Sequence, residues 1–289
     1  MIPEEFAALA RALRPELHRY CARLMGSVLD GEDVVQDTFA NATAALANLD
    51  PATPLKPWLF RIAHNRAIDQ LRHREVRVAE LSDGVSVADA SAIDPEEAAI
   101  REQAMATAVS RFVELPVTQR SVVVLKDVLG QSLAEIAALL SISVDAVKGH
   151  LARGRTLLRE MVPAAPTFVP SPSADITRYV SLFNARDWDG LRAMLAEDVE
   201  LVQSTHARRH GRTDVGQFFF IYARSGPVRL APAWLEGREV IAVFEDERDS
   251  RPSYVMSVET RDGCVTFIRD YRYVRYVSAE VDVAFARED

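Results

Sequence analysis

The chain has 289 residues, a net charge of −8 and a hydrophobic fraction of 48%. This length suits two or three small domains, and the composition is sufficient for folded cores. No apolar run is long enough to cross a membrane, and the first residues are too charged for a signal peptide, so we expect a cytoplasmic protein. The two cysteines, Cys21 and Cys264, fit no metal-ligand spacing. We therefore expect reduced thiols, no metal and no cofactor.

Positive charge is concentrated in two segments despite the acidic total. Binding to nucleic acid depends on where positive charge lies rather than on its sum. An acidic stretch separates the two basic segments. The first contains Arg61, Arg66, Arg72, Arg74 and Arg77, and the second contains Lys148, Arg153, Arg155 and Arg159.

The first 75 residues have the pattern of a helical domain. Apolar residues at helical spacing predict a helix over 4–25, followed by a break at Gly26 and the Asp30-Gly31 pair. A second helix is predicted over 33–49. Three prolines between 51 and 57 then predict a turn, and Pro57 suits the first turn of a third, basic helix that extends to residue 74.

The third helix has two contrasting faces. An apolar row predicts a core-facing side. On the other side, arginines can neutralise phosphates, an asparagine can pair with a base edge, and two aromatic residues at the start can hold an unstacked base. The alternative is the solvated face of an ordinary bundle helix. The apolar row is Leu59, Ala63, Ala67 and Leu71; the polar face is Arg61, Asn65, Asp69 and Arg72; the aromatic residues are Trp58 and Phe60.

Residues 131–161 predict a helix-turn-helix. Ser132 and Glu135 form a capping box at the start of a short helix, and Ser143 caps a second helix after a three-residue turn. Small residues at Gly149 and Ala152 allow close approach to a DNA major groove, and nearby basic residues can reach phosphates or guanine edges. The alternative is an ordinary helical hairpin. The preceding helix, predicted over 118–129, ends at Gly130, which suits a helix C-terminus.

The remainder of the chain predicts linkers and an α+β domain. Residues 76–95 have no sustained periodicity and predict a tether, which ends at a helix start formed by Asp94, Pro95 and Glu96. A Pro/Ser-rich linker follows over 163–173. The last part, 174–289, predicts two short helices, around 176–183 and 191–195, and then strands over 199–202, 240–244, 254–260 and 265–273, with a hairpin turn at Asp262-Gly263.

Residues 1–161 resemble the extracytoplasmic-function group of bacterial RNA polymerase sigma factors. The resemblance rests on DVVQDTF at 33–39, WLFRIAHNRAIDQLR at 58–72, and the helix-turn-helix region at 115–160. It implies that the first motif docks on the clamp helices of the β′ subunit and that the second meets and melts the −10 element. It further implies that the turn at 49–54 captures a flipped base, and that the helix-turn-helix domain reads the −35 element and contacts the β flap.

The resemblance carries three sets of residues onto this chain. The expected polymerase-binding residues are Asp33, Gln36, Asp37 and Phe39. The expected −10 residues are Trp58, Arg61, His64, Asn65, Asp69, Arg72 and Arg74. The expected −35 residues are Ser143, Asp145, Lys148, Gly149, Arg153 and Arg155. The implied domains are sigma region 2 over 1–75 and sigma region 4 over 96–162.

The tail, 174–289, resembles a SnoaL-like domain of the NTF2-like cone fold, on FNARDWDGLRAMLAEDVELV, HGRTDVGQFF and a terminal β-meander. The expected fold is thus two all-α sigma domains followed by an α+β cone domain, and we expect the tail to regulate the sigma domains in cis without catalysis. Two alternatives stay open. The tail could sense a small ligand or be a vestigial isomerase or hydratase, with acid–base groups that include Asp198, or the chain could be a conventional duplex-binding regulator. The tail-pocket candidates are His206, Trp234, Tyr254 and Asp270.

Overall fold

The computed structural model describes residues 3–79, 104, 107–161, 169–204, 206–224, 228–246, 248–279, 281 and 283–285. The chain forms two compact units, Met1–Pro163 and Ala164–Asp289. Most of the predicted tether, its helix start at Asp94 and the first half of the predicted linker lie outside the described residues. Within the described part of the chain, no helix combines the length and the hydropathy needed to cross a membrane.

The N-terminal lobe of the first unit, residues 3–79, consists of three long helices. They are α1 (Pro3–Met25), α2 (Val28–Ala45) and α3 (Leu55–Ala79), with a short 3₁₀ helix (Leu46–Asn48) after α2. The predicted break at Gly26 is confirmed, with a φ of 72° after α1, but the break at Asp30-Gly31 is wrong, because this pair lies inside α2, which Ser27 caps. Gly31 is instead a packing residue: a Cβ there would lie 2.5 Å from the backbone Cα and N of Ala22 in α1.

Replacing Gly31 should therefore destabilise the first unit. The Gly31→Ala change forces α1 and α2 apart, and we expect a loss of about 1–3 kcal/mol in the free energy of unfolding. The matched control is Gly149→Ala, where the added methyl group would meet only the tip of Arg153 at 3.6 Å. Helix propensity predicts a gain of up to about 1 kcal/mol for the control. Urea unfolding measures the free energy of unfolding of both variants. Equal stabilities would contradict the packing role of Gly31.

The C-terminal lobe of the same unit, residues 107–161, contains the predicted helix-turn-helix. The capping box of Ser132 and Glu135 is present, Ser141 adopts a left-handed conformation in the turn, and Ser143 caps the second helix. Gly130 has a φ of 71° at the end of the preceding helix, as its position predicted. The elements are a 3₁₀ helix (Val109–Glu114), α4 (Val117–Val123) continuing as a π-helical turn (Val124–Val128), α5 (Leu133–Leu140) and α6 (Val144–Glu160).

The two lobes share one continuous apolar core. It extends from Leu17 and Phe60 in the N-terminal lobe to Phe112 and Leu151 in the C-terminal lobe. The buried guanidinium of Arg120 in α4 joins them further. It donates hydrogen bonds to the main-chain oxygens at the end of α1 and around the 3₁₀ helix, which are those of Leu24, Val113 and Leu115. The first unit is therefore a packed pair of lobes in this structure.

The second unit is an α+β domain with one open sheet, which confirms the predicted fold class. The sheet has the strand order β2-β1-β6-β5-β4-β3; β1 and β6 are parallel, and the other neighbours are antiparallel. The helices are α7 (Ala174–Asn184), α8 (Trp188–Ala193), α9 (Arg212–Gly216), α10 (Phe218–Arg224) and α11 (Tyr276–Ala279). The strands are β1 (Leu195–Gln203), β2 (Arg209–His210), β3 (Arg229–Leu235), β4 (Arg238–Phe244), β5 (Tyr254–Arg261) and β6 (Cys264–Asp270).

Sequence patterns located four of these six strands and missed β3 and the two-residue β2. Pro232 lies in the middle of β3 and is paired with Ile241 of β4. Proline cannot donate to a central ladder, but it is tolerated at an edge, and β3 is an edge strand. The predicted second helix also ends too late, because Leu195 begins β1. The hairpin turn at Asp262-Gly263 is confirmed, with φ values of 53° and 76°.

Candidate nucleic-acid interface

The polar face of α3 lies against the helix-turn-helix in the packed unit. Arg61 Nη2 donates to the main-chain oxygen of Ala138 in α5 at 3.3 Å. Asn65 and Asp69 are exposed on the same helix, and Trp58 is half-buried against the core. The structure therefore brings a predicted −10 residue into direct contact with the lobe predicted to read −35.

His64 is more buried on α3 than the exposed residues Arg61 and Asn65. Its Nδ1 lies 2.8 Å from the hydroxyl of Tyr20 in α1. Burial lowers the pKa of His64 to about 4 and raises that of Tyr20 well above its usual range. The imidazole is therefore neutral near pH 7, and its Nδ1 shares a hydrogen bond with the tyrosine hydroxyl.

A cavity of about 360 Å³ separates α3 from the C-terminal lobe. One wall is α3, and the other walls are α4 and the turn between α5 and α6. Its lining residues are His64, Ile68, Leu71, Arg72, Val117, Thr118, Ser121, Leu140 and Ile142. Two of the predicted −10 residues, His64 and Arg72, thus face the opposite lobe.

The start of α6 is the exposed part of the predicted recognition helix. Asp145 and Lys148 form an ion pair of 3.1 Å whose side chains are 91% and 60% exposed. Arg153 lies beside His150 on the same helix. Near the end of the helix the environment differs, because Arg155 donates two hydrogen bonds, of 3.0 and 2.7 Å, to the buried carboxylate of Asp127.

The predicted polymerase-binding residues on α2 are not equally accessible. Gln36 and Asp33 are half-buried. Asp37 pairs with Arg66 of α3 at 2.6 Å, a contact the sequence analysis did not predict. Phe39 belongs to the core, with only 9% of its surface exposed. Its position indicates a packing role for Phe39.

The last predicted −10 residue also has a partner within the lobe. Arg74 in α3 forms an ion pair of 3.0 Å with Asp30 in α2, and its side chain is 44% exposed. The carboxylate of Asp30 is buried, so this ion pair ties Arg74 to α2.

The tail-pocket candidates fall into separate places. Asp270 accepts hydrogen bonds from Gln203 Nε2 at 2.7 Å and from the backbone nitrogen of Arg272 at 2.9 Å. Burial raises the pKa of Asp270 to about 6. The hydroxyls of Tyr254 and Tyr222 lie 2.8 Å apart in the same network. Tyr222 was not among the predicted site residues, because the pattern FFFIYAR gives no reason to single it out.

The other two candidates lie outside that network. His206 is exposed and stacks on Tyr273, with ring centroids 4.1 Å apart. Trp234 is on the edge strand β3, where its backbone pairs with that of Ala284. The structure thus associates Tyr254 with Asp270 and does not bring all four candidates into one site.

Aromatic rings pack against one another beside this network. Phe183 lies 5.1 Å from Tyr222 and 5.4 Å from Trp188, and Phe218 lies 5.1 Å from Tyr222, measured between ring centroids. These rings join α7, α8 and α10 to the sheet in one apolar core. These rings lie beside Tyr222 and Tyr254 in that core.

Asp270 should make the stability of the tail depend on pH. Its native pKa of about 6 exceeds the unfolded value, so the native state retains a proton between pH 4 and 6 that the unfolded state loses. The free energy of unfolding should therefore fall by about 3 kcal/mol as pH rises through this range. In a Trp58→Phe background, fluorescence reports on the tail tryptophans, and Asp270→Asn should remove most of this slope. An unchanged slope in Asp270→Asn would contradict the assignment.

Comparisons with known proteins decide the family. The models for Sigma-70 region 2 and Sigma-70 region 4 match residues 9–77 and 110–158. The chain is 30% identical to the ECF RNA polymerase sigma factor SigW of Bacillus subtilis over an alignment of 167 residues. The alignment covers 55% of this chain and 89% of SigW. The chain belongs to the extracytoplasmic-function sigma factors. It is also 38% identical over 142 residues to the sigma factor CnrH of Cupriavidus metallidurans, over 47% of this chain and 74% of CnrH.

Membership of this family defines the general function. As a sigma factor, the chain binds core RNA polymerase and promoter DNA and directs transcription initiation, so the alternative of a conventional duplex-binding regulator is not favoured. Among solved structures, it is similar to Mycobacterium tuberculosis SigJ, with 20% identity over 92% of this chain and 95% of SigJ and a TM-score of 0.38. It is also similar to a putative ketosteroid isomerase from Kribbella flavida, with 25% identity over 40% of this chain and 81% of that chain and a TM-score of 0.29.

Proposed function

We propose that this sigma factor reads the −10 element with the polar face of α3 and the −35 element with the start of α6, and that the two lobes must separate to do so. The observation that carries the proposal is the contact between Arg61 and the oxygen of Ala138. It joins the −10 helix directly to the helix-turn-helix.

Promoter geometry supports the separation step. The −10 and −35 elements lie about 25 base pairs apart, which is roughly 80 Å of duplex at ~3.4 Å per base pair. In the packed unit, Ile142 lines the same cavity as His64, and Ser143, which caps the recognition helix, follows it directly. Two surfaces this close cannot contact both elements of one promoter. Opening of the unit must therefore precede or accompany promoter binding.

Exposure and charge support the division of roles on α3. Arg61 and Asn65 are exposed and supply, respectively, a phosphate-binding cation and an amide for a base edge. Trp58 is half-buried and retains aromatic surface for an unstacked base. His64 is neutral near pH 7 and lines the cavity between the lobes.

The start of α6 supports the assignment to the −35 element. The exposed pair of Asp145 and Lys148 contributes little to stability, so Lys148 can leave it for DNA. Ser143 is exposed at the N-terminus of the helix. We leave Arg155 out of the reading set, because its guanidinium is committed to Asp127.

We also propose that α2 contacts the β′ clamp through Asp33, Gln36 and Asp37, that the C-terminal lobe contacts the β flap, and that the tail regulates the first unit in cis. The tail is covalently attached, which gives it a high effective concentration near the sigma domains. Removal of residues beyond 165 should change promoter-dependent transcription. An identical response of full-length and truncated protein would contradict the regulatory role of the tail.

Lys148→Ala tests the −35 assignment. We expect a loss of about 5- to 100-fold in promoter binding by the polymerase complex, because a charged contact to DNA is removed. The matched control is Arg159→Ala, which removes the same charge from the exposed far end of α6. Run-off transcription and promoter binding with core polymerase measure both variants. Equal activities for Lys148→Ala and Arg159→Ala would contradict the assignment.

A further inference from the structure

His150 and Arg153 form a pair on α6, outside the row of residues that packs into the core. The core side of this helix is marked by its buried residues, which are Val147, Leu151, Gly154 and Leu158. With 3.6 residues per turn, Arg153 projects roughly 130° away from that row. Arg153 is nevertheless only half-exposed, whereas Arg159 at the end of the same helix is exposed. The side chain of Arg153 is therefore held against the surface of the helix.

Gly149 provides the surface on which the guanidinium of Arg153 lies. A Cβ built on Gly149 would lie 3.6 Å from Nη1, 3.8 Å from Nη2 and 4.0 Å from Cζ of Arg153. These similar distances indicate that the planar group faces the glycine. Because side chains of a helix lean toward its N-terminus, the guanidinium lies one turn before its own Cα. It is thereby brought closer to the start of α6, the part of a recognition helix that contacts base edges.

His150 holds the guanidinium of Arg153 from the side. Nη2 of Arg153 lies 3.4 Å from Nδ1 of His150, which is a long hydrogen bond. A guanidinium can only donate, so Nδ1 is the acceptor in this contact. Burial and the charge of Arg153 lower the pKa of His150, which keeps the imidazole neutral near pH 7 and able to accept.

We propose that His150 is a positioning residue for promoter recognition: it holds Arg153 over Gly149, and Arg153 in that position reads one guanine of the −35 element. This proposal rests on the proposed function, in which the start of α6 enters the major groove. A guanidinium can donate two hydrogen bonds to O6 and N7 of guanine. A side chain that is held in place before binding loses less conformational entropy when it binds. His150 therefore contributes to the recognition of a base that it does not touch.

Base preference at each position of the −35 element tests this pair. Promoter binding is measured for the complex with core polymerase on templates that carry every single-base change in the element. Arg153→Ala should reduce the preference for guanine at one position by about 5- to 150-fold. His150→Ala should reduce the preference at that same position by about 2- to 12-fold and leave the other positions unchanged. Arg159→Ala is the matched control for the loss of positive charge, and it should change the preference at no position.

Two further variants separate positioning from a general effect on α6. His150→Asn retains an acceptor, Oδ1, near the place of Nδ1, and it should recover the preference that His150→Ala loses. In the double variant of His150→Ala and Arg153→Ala, the preference should equal that of Arg153→Ala alone, because His150 then has no guanidinium to hold. A purely structural role of His150 would instead lower binding on every template and would add to the effect of Arg153→Ala.

Each contrary result identifies the part of the proposal that is wrong. If Arg153→Ala loses the preference and His150→Ala retains it in full, the positioning role of His150 is overturned. If Arg153→Ala retains the preference, or weakens binding equally on all templates, the guanine contact is overturned. Failure of the proposed function is distinguishable from both results, because promoter-specific transcript would then be absent from the unchanged protein.

Discussion

A short bismaleimide that joins Ile68→Cys in α3 to Ile142→Cys in the turn before α6 should abolish promoter-dependent transcription. Both residues line the cavity between the lobes, so the cross-link fixes the packed arrangement. In that arrangement Arg61 contacts Ala138, and the two DNA-reading surfaces cannot span the promoter. The residual transcript should match the fraction of protein that escapes cross-linking, because the linked molecules cannot open.

The two native cysteines determine the design of this experiment. Cys264 is half-exposed and should be replaced by serine. Cys21 is buried, and burial raises the pKa of its thiol, so it should not react and can be kept. The controls are each single-cysteine variant with the same reagent, and the pair with a monofunctional maleimide. Full transcription by the cross-linked protein would refute the separation step.

Loss of the carboxylate of Asp127 should destabilise the C-terminal lobe by about 3–5 kcal/mol, because it leaves a largely buried guanidinium without its charge partner. The side chains of Asp127 and Arg155 are 1% and 14% exposed, and two hydrogen bonds join them. Arg155→Ala should cause a comparable loss, and the double variant should lose less than the sum of the two. Urea unfolding of the four proteins measures the coupling.

The exposed pair on the same helix provides the control. Asp145→Ala removes the partner of Lys148 at the start of α6, where both side chains are exposed, and should not change stability measurably. If Arg155→Ala were as stable as the unchanged protein but altered base preference at one promoter position, Arg155 would read DNA and the structural role would be wrong. Comparison of Arg155→Ala with Asp145→Ala therefore distinguishes a residue that stabilises the fold from a residue that reads DNA on the same helix.

Local sequence signals predicted the parts of the fold that depend on local interactions. The capping box of Ser132 and Glu135 and the cap at Ser143 are contacts between residues three positions apart, so the sequence alone predicts them. The Asp262-Gly263 turn is equally local. The sigma factor family was predicted from a resemblance that the motifs at 33–39 and 58–72 and the helix-turn-helix region at 115–160 carry.

Tertiary contacts explain what the sequence did not reveal. Arg155 matched a DNA-binding pattern, but its partner Asp127 lies 28 residues earlier and becomes a neighbour only on folding. Gly31 resembled a helix break because its packing against Ala22 cannot be inferred from its own neighbours in sequence. The edge position of Pro232 depends on the whole sheet.

The tail illustrates a similar limit for site residues. Residue type suggested acid–base candidates, and the structure joins two of them, Tyr254 and Asp270, through Tyr222 and its neighbours. The packed rings beside them indicate that the network is part of the core. Only the folded arrangement distinguishes a buried polar network from a ligand pocket.

A distance measured between the lobes tests the central claim most directly. Spin labels at His73→Cys in α3 and Glu160→Cys at the end of α6, both exposed positions, report the separation in a Cys264→Ser background. We predict a single short distance in the free protein and an increase of tens of ångströms in the complex with core polymerase and promoter DNA, because the two elements lie roughly 80 Å apart. The free-protein distance persisting in a complex that initiates transcription would contradict the account.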